Sequence, residues 1–254
     1  MKMSRIFTSL LMILRMLFRR RIVLILLGVI PAVFLSTVAL TTSERLLPFR
    51  LASLEGEIFV EVSEQEISLV FFAVATAGFL MSFLALNLLQ KSTHVNRRLV
   101  ICGYHPLELL VSNLLALFLM ICLIAIYVGL LTRAYFQMDH LGMMIFGLAL
   151  TGFVYGCYGL AVGSLIQGEL EGILLILLLV NIDAGWLQNP LFYAEAEHQL
   201  IIHSLPAYFP SQVAVIASFT DHAILNATVG SILYGLVFLG LSMFIFFIKM
   251  RIRK

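Results

Sequence analysis

Long apolar runs alternate with short polar segments along almost the whole chain. A helix needs roughly 20 apolar residues to cross the hydrocarbon core of a bilayer, and most of the runs reach that length. The pattern therefore predicts an all-α integral membrane protein with a single transmembrane domain of six helices. The predicted spans cover about residues 22–42, 67–89, 107–131, 141–166, 172–186 and 224–248.

A basic amphipathic segment precedes the first span, at residues 4–21. Arg5, Arg15 and Arg19 recur there with small polar residues at helical spacing, and large apolar residues occupy much of the remaining circumference. A basic stripe beside a broad apolar face is typical of a helix that lies in the headgroup plane. We therefore expect an interfacial helix here, with a plain juxtamembrane anchor as the alternative.

The only interior cationic segment of the sequence covers residues 91–113, between the second and third spans. Ser92 or Thr93 can cap a helix that ends at Gly103, because helices often end at a glycine in the left-handed conformation. Pro106 suits the first turn of the helix that follows. The segment therefore predicts a short, separate helix that lies across the membrane surface.

The C-terminal half of this predicted helix combines two arginines with apolar residues. We expect Leu99, Val100 and Ile101 to face inward. Arg97 and Arg98 would then be available to a partner protein, so the function of the chain depends on what this helix contacts.

Two segments are predicted on the opposite side of the membrane. Residues 43–66 carry six glutamates and two arginines, and their spacing matches no calcium-binding loop, which predicts a solvated acidic loop. Residues 190–223 contain apolar pieces that are too short to span and are broken by Pro206 and Pro210. These pieces predict re-entrant or interfacial helices that cap this side.

The fourth span is rich in glycine. Gly152 and Gly156, and likewise Gly159 and Gly163, are four residues apart, so small residues line up on faces of the helix. Such faces allow helices to approach closely in lipid. The pattern fits both static packing and a helix that slides against its neighbours.

The fifth span is short and has polar residues near its far end, where Asn181 and Asp183 precede Trp186. A carboxylate near mid-membrane costs about 2.5–3.5 kcal/mol on insertion scales. Tryptophan favours the membrane–water interface. We therefore expect Asp183 near the outer interface.

Composition agrees with a membrane protein and limits its partners. Of the 254 residues, 61% are hydrophobic, whereas soluble domains are usually about 45–50% apolar. The net charge of +2 is too small to indicate nucleic acid as a partner. The three cysteines lie in or beside apolar runs, which predicts reduced packing residues and no disulfide framework.

The distribution of positive charge predicts the orientation of the chain. Both terminal segments and residues 91–113 together carry 13 of the 16 Lys and Arg residues, which leaves three for the other side. Positive charge marks the cytoplasmic face. We therefore expect a multi-pass protein of the cell membrane with both termini in the cytoplasm and residues 43–66 and 187–223 outside.

The sequence carries no motif for nucleotide, metal or nucleophile chemistry. It lacks a Gly-x-x-x-x-Gly-Lys-[Ser/Thr] loop, a His-Glu-x-x-His pair and a Gly-x-Ser-x-Gly elbow. His198 and His203 are five residues apart, which places them poorly on one helical face. We expect no catalytic, cofactor or metal site in this chain. The absence of predicted intramembrane charge argues against an ion-coupled carrier, so a transporter of this kind would need energy from another subunit.

Four features occur in order along the chain: the basic amphipathic segment, Gly-Tyr-His-Pro-Leu-Glu-Leu-Leu-Val-Ser-Asn at residues 103–113, the glycine-rich fourth span, and Leu-Pro-Ala-Tyr-Phe-Pro at residues 205–210. Together they resemble the membrane subunit, or permease, of type-2 ABC exporters. In that family, the segment between spans two and three is the coupling helix, which rests on a separate ATP-binding subunit. Many members carry an acidic cluster ahead of the coupling-helix glycine, whereas this chain has Lys91, Arg97 and Arg98.

The resemblance implies partners and roles. The N-terminal helix would be the connecting helix beside the coupling helix, and residues 190–222 would close the outer end of the pathway. ATP and Mg would bind to the cytosolic ABC subunit, and a second permease copy would complete a dimer in the lipid bilayer. The implied ATPase-coupling residues are Arg97, Arg98, Leu99, Ile101, Gly103, Tyr104 and His105, and the implied outer gate consists of Pro206, Phe209 and Pro210.

Two alternatives to the exporter stay open at this point. A non-transporting membrane scaffold or immunity protein would use the same six spans and cationic segment. An intramembrane enzyme would need polar residues that converge at depth. For the exporter, a pathway lined by apolar and small residues favours an amphipathic substrate such as a drug, a lipid or a hydrophobic peptide.

Overall fold

The structure is a computed structural model that describes residues 3–50, 59–101, 103–138, 140–166, 168–189, 199–220 and 223–252. Helices account for most of this part of the chain, together with one antiparallel pair of strands. The elements are α1 (Met3–Phe18), α2 (Arg21–Thr41), β1 (Leu46–Arg50), β2 (Phe59–Ser63), α3 (Glu64–Ile101), α4 (Pro106–Arg133), α5 (Leu141–Leu165), α6 (Glu169–Ile182), α7 (Gln199–His203), α8 (Tyr208–Phe219) and α9 (Leu225–Ile252). A π-helical turn, Asp183–Leu187, extends α6.

Six of the described helices are long and apolar enough to cross a membrane, which confirms the predicted helical membrane architecture. Each boundary of these apolar stretches lies within three residues of the predicted one. The agreement has a local cause, because a span must satisfy its own backbone hydrogen bonds and present apolar side chains over a fixed length. The stretches are Arg21–Thr41, Glu64–Lys91, Glu108–Arg133, Leu141–Leu165, Glu169–Leu187 and Leu225–Ile245.

Helices α3 and α5 form the centre of the bundle. In their most apolar segments 78% of the residues are buried, against 17% in α2 and in α9. The two central helices run in the same direction, since Gly78 lies against Tyr155 and Ser82 lies against Gly159. Helix α4 runs antiparallel to them, with Ile121 beside Gly152.

Helix α3 corrects the prediction of a separate helix between spans two and three. It runs without interruption from Glu64 to Ile101, 38 residues in all, so the predicted start at Ser92 or Thr93 is wrong. The chain has no glycine or proline between Gly78 and Gly103, and serine and threonine are tolerated inside a helix that is already formed. The last ten residues of α3 therefore extend about 15 Å beyond its apolar part.

The predicted end of this helix is the observed one. Gly103 has a φ of +85°, which is the left-handed conformation that glycine adopts without strain. Its N–H donates to Val100 O at 3.0 Å, and the Tyr104 N–H donates to Leu99 O at 3.0 Å. These two bonds form a complete Schellman motif, which satisfies carbonyls that the helix end would otherwise leave unpaired.

Part of the predicted acidic loop is a β-hairpin. Strand β1 pairs with β2 in antiparallel register, with Leu46 opposite Ser63 and Arg50 opposite Phe59. The two runs contain aromatic and β-branched residues, which favour strands. The connection, residues 51–58 with Glu55 and Glu57, lies outside the described residues.

Helix α8 is a short helix that is buried along nearly its whole length. With 12 residues it covers about 18 Å, which is too short to span a bilayer. It runs antiparallel to α5, because Ala214 lies against Gly147 and Ser218 Oγ lies 3.5 Å from Met144 Sδ. The first residues of α8 therefore lie deeper in the bundle than its last residues, which lie closer to the end that carries the β-hairpin.

The four glycines singled out in α5 face two different helices. Gly159 and Gly163 lie against α3, at Ser82 and Leu86. Gly156 lies against Leu117 of α4, and Gly152 lies between α3 and α4. At Gly159 an added Cβ would collide with the backbone carbonyl of Ser82, whereas at the other three positions it would meet side chains. Gly159 thus permits a direct approach between backbones, as small residues do in lipid.

We predict that Gly159→Ala lowers the free energy of unfolding by about 1–3 kcal/mol, because overpacking against a backbone carbonyl cannot be relieved by a side-chain rotation. The matched control is Gly142→Ala in the same helix, where no atom lies within 4 Å of the added Cβ. Thermal unfolding in detergent should show a lower midpoint for the first variant, and an unchanged or higher midpoint for the second. Equal midpoints would contradict the close approach.

Candidate functional site

Helix α1 docks along the first turns of α4 through one of its faces. Ser9, Ile13 and Leu17 of α1 are buried. The Ser112 hydroxyl of α4 lies 3.1 Å from Ile6 O, to which it can donate, and 2.7 Å from Glu108 O. The basic N-terminal segment is therefore part of the helical assembly and contacts the helix that follows the Gly103 turn.

Arg5 ties α1 to the Gly103 turn itself. Its Nη1 donates to Gly103 O at 2.7 Å, and its guanidinium carbon lies 5.3 Å from the centre of the Tyr104 ring. On the other side of the turn, the His105 N–H donates to Glu108 Oε2 at 3.3 Å. This contact is one of the two hydrogen bonds of a capping box, in which a glutamate side chain accepts from the backbone N–H of the residue that begins the helix. Contacts from Arg5 on one side and Glu108 on the other therefore stabilise the turn between α3 and α4.

The end of α3 presents an exposed surface beside this braced turn. Arg98 is exposed, and Ile101 is 80% exposed, so the prediction that Ile101 faces inward is wrong. Gly103 and His105 are exposed as well, whereas Leu99 and Tyr104 are half-buried. The side chain of Arg97 lies outside the described part of the structure. We call the exposed part of this region, Arg98, Ile101, Gly103 and His105, the α3 tip.

The same end of α3 is connected to the turn between α5 and α6. Gln90 Nε2 lies 3.4 Å from Ile166 O and 3.3 Å from Gly168 O, and Lys91 Nζ lies 3.5 Å from Glu169 Oε1. The ion pair is solvent-exposed on both sides and contributes little to stability. These contacts place the α3 tip, α1 and the α5–α6 turn at one end of the bundle, which we call the basic end.

A second polar site lies inside the bundle, around Asp183. The Tyr155 hydroxyl donates to Asp183 Oδ2 at 2.5 Å, and the Ala207 N–H donates to the same oxygen at 2.8 Å. Gln188 Nε2 lies 3.2 Å from Asp183 Oδ1 and 3.2 Å from Ile202 O. All three side chains are almost fully buried. We call Tyr155, Asp183, Gln188 and the Ala207 N–H the Asp183 cluster.

The depth of this cluster follows from the position of Tyr155 in α5. Tyr155 lies 14 residues after Leu141 and ten residues before Leu165, which corresponds to about 21 Å and about 15 Å along the helix. Asp183 therefore lies inside the bundle at the level of Tyr155. Along its own apolar stretch, Glu169–Leu187, it lies four residues from the end, so its placement near the outer interface stays a prediction. Asp183 is nevertheless an ionisable residue buried within an apolar stretch, which weakens the argument against an ion-coupled carrier.

Sequence reasoning missed the cluster because its members come from three separate segments. The π-helical turn aims Asp183 inward, and α8 starts deep enough to supply the Ala207 N–H. Neither feature can be read from a linear apolar run. One signal was present: an ionisable residue within an apolar span marks a functional site by default.

The predicted outer-gate residues lie at the deep end of α8. Pro206 and Pro210 are buried, and Phe209 is half-buried. The Phe209 ring lies 5.1 Å from the Tyr208 ring and 5.8 Å from the Tyr234 ring, measured between centroids. The three residues thus lie inside the bundle at the level of the Asp183 cluster rather than at its rim.

The described residues contain few other candidates for a metal or catalytic site. No three His, Cys, Asp or Glu side chains within them lie close enough together to share a metal ion. His203 stacks on Tyr208, with the ring centres 4.5 Å apart, and His198 lies outside the described residues. The geometry therefore contains two candidate sites, the α3 tip and the Asp183 cluster.

Comparison with known proteins leaves both sites to be interpreted from their geometry. No protein-family model matches the chain, and no curated protein matches it either.

We predict that Tyr155→Phe destabilises the fold by about 1–3 kcal/mol, because Asp183 loses a buried hydrogen-bond donor. Tyr158→Phe is the matched control, since the Tyr158 hydroxyl makes only a long contact, 3.4 Å, to Leu175 O. Thermal unfolding of both variants, and of Asp183→Asn with and without Tyr155→Phe, measures the coupling. Additive effects of the two substitutions would contradict the hydrogen bond as a shared interaction.

Proposed function

We propose that the chain is the membrane subunit of an ATP-driven ABC exporter and is powered by a separate cytosolic ATP-binding subunit. The observation that carries this proposal is the continuity of α3, which joins the core of the bundle to an exposed, braced turn at the basic end. A continuous helix transmits a displacement of its tip along its whole length without a hinge. This is what a subunit driven from outside the membrane requires.

The α3 tip supports this role by its chemistry. Ile101 is an exposed apolar side chain, and Arg98 is an exposed cation nearby. An apolar anchor with a charge at its edge suits a partner that offers an apolar pocket with an acidic rim. Because Arg5 binds Gly103 O, a partner that moves the α3 tip also moves α1.

The Asp183 cluster supports a second part of the proposal, the closure of the pathway at the other end. It joins α5, α6 and the start of α8 through hydrogen bonds to a single carboxylate. Helix α3 packs directly on α5 at Gly159, so a displacement of α3 reaches this carboxylate through α5. ATP-driven movement of the tip would loosen the contact between Asp183 and Ala207 and let α8 move outward.

The apolar surfaces of the outer helices fit a dimer in the bilayer. Within their most apolar segments only 17% of α2 and 28% of α6 with its π-helical turn are buried. Two copies that meet through such surfaces would enclose a pathway lined by apolar side chains. The proposed substrate is amphipathic, and the basic end faces the cytoplasm with both termini.

A second candidate, an ion-coupled carrier, is favoured by one observation. Asp183 makes no ion pair with any described residue and is buried within an apolar stretch, where ionisable groups mark proton or ion pathways. In that case Asp183→Asn would abolish transport driven by an ion gradient. In the exporter, ATP alone would drive transport.

The test of the exporter begins with what co-purifies with the tagged chain in mild detergent. We predict an ATP-binding subunit at near-equal stoichiometry. Ile101→Asp and Arg98→Glu should each reduce its recovery at least about tenfold, because loss of an interface anchor costs about 2 kcal/mol or more.

Two matched controls at the opposite end of the bundle make this test specific. Leu200→Asp places the same charge at an equally exposed apolar position, 85% exposed, and Arg133→Glu reverses an exposed arginine at the far end of α4. Both should leave recovery of the ATP-binding subunit unchanged. A stable chain without any such partner would overturn the exporter and favour the non-transporting scaffold.

A further inference from the structure

Helix α6 and its π-helical turn bury one face in the bundle and expose the opposite face. Ile176, Val180 and Asp183 lie on the buried face, which packs on α3 and α5. On the opposite face, Leu174 is 56% exposed and Leu178 is 58% exposed. In a membrane, this exposed face meets either lipid or another protein.

The exposed face carries residues at the spacing of a helix–helix seam. Leu174, Leu178, Asn181 and Gly185 are all exposed, and they follow one another at intervals of four, three and four residues. This heptad spacing is the one with which two helices pack along their length in a left-handed pair. The three atoms nearest to a Cβ added at Gly185 all belong to α6, so a second helix can approach there. We call these four residues the α6 seam.

Asn181 is the polar member of the seam. Its Nδ2 donates to Leu177 O of its own helix at 2.8 Å, and its side chain makes no other hydrogen bond with the described residues. One N–H and the carbonyl oxygen of the amide therefore stay available.

The position of Asn181 along α6 gives this free amide its importance. Asn181 lies 12 residues after Glu169 and six residues before Leu187, the two ends of the apolar stretch, or about 18 Å and about 9 Å along the helix. Hydrocarbon offers no water to the free N–H and Oδ1 at this depth. An amide exposed on a lipid-facing helix therefore favours association with a second helix that supplies both hydrogen-bond partners.

We propose that two copies of the chain pair through the α6 seam, with Asn181 of each copy bonded to Asn181 of the other. A second copy fits this face because an amide is both donor and acceptor, so two asparagines can form reciprocal hydrogen bonds. Both copies have the same orientation in the membrane, and a two-fold axis along the membrane normal brings the two asparagines to one depth. The same axis sets each leucine of the seam against its own counterpart, and a polar residue at a seam position fixes the register.

This inference names the contact between the two copies of the proposed exporter, and in that respect it rests on the proposed function. The pairing itself needs no ATP-binding subunit. Failure of the pairing is therefore distinguishable from failure of the exporter, which the recovery of the ATP-binding subunit decides.

The first experiment uses disulfide cross-linking of the full chain in lipid vesicles. Leu174→Cys and Leu178→Cys place a thiol on the seam, and oxidation should give a disulfide-linked dimer of each variant. The matched controls Leu175→Cys and Ile182→Cys place the same thiol at exposed positions on one flank of the seam. Disulfides need Cβ atoms about 3.5–4.5 Å apart, so these controls should stay at the background set by the parent chain with its native cysteines.

The second experiment measures the dissociation constant of the dimer by energy transfer between labelled copies as the protein is diluted into lipid. Asn181→Leu should raise this constant about 3- to 30-fold, the range expected for hydrogen bonds between helices in a membrane. The variant should fold normally, because the one bond that it loses lies within its own helix. Asn181→Gln keeps the amide and should restore pairing.

Thr37→Val is the matched control for the loss of an exposed polar group. Thr37 lies on the exposed surface of α2, and its hydroxyl donates to Val33 O of the same helix at 2.8 Å. This variant should leave the dissociation constant unchanged.

Three outcomes would overturn the proposal. Equal yields of disulfide at seam and flank positions would mean random collision of the copies. An unchanged dissociation constant for Asn181→Leu would remove the asparagine pair. Dimers that form only through other faces, in a chain that still recovers an ATP-binding subunit, would overturn the α6 seam and leave the exporter standing.

Discussion

The close approach of α5 to α3 is the interaction on which the rest of the bundle depends. In lipid, helices gain nothing from hiding apolar side chains, so they associate where small residues let their backbones meet. Gly159 provides that position, since a Cβ there would collide with the Ser82 carbonyl. With α3 and α5 joined in this way, α4, α8 and α9 pack around α5, and α2 packs on α3.

The same central pair connects the two polar regions of the molecule. Helix α3 carries the exposed tip that Arg5 braces from outside. Helix α5 carries Tyr155, which donates a hydrogen bond to the fully buried carboxylate of Asp183. In the proposed mechanism, a displacement of the tip would reach the Asp183 cluster through the single interface between α3 and α5. The geometry therefore gives the proposed coupling a short physical route.

The errors of the sequence interpretation have specific physical causes. Ser92 and Thr93 are good N-caps, yet both residues also fit inside a continuous helix, so local preference alone could not decide whether α3 stops. The Asp183 cluster was missed because Asp183 was judged by the cost of a bare charge in lipid. That cost is offset here by Gln188, five residues further on, and by Tyr155 and Ala207, which are distant in sequence.

The sequence by itself determined the number and limits of the spans, because a lipid environment imposes an apolar length on each segment separately. It also determined the end of α3, since only glycine adopts the φ of Gly103 without strain. Tertiary structure alone decided the burial and hydrogen-bond partners of Asp183, the burial of α8 and the partner of each glycine in α5. These features depend on which helices face each other, and contacts between segments far apart in the chain leave no local pattern.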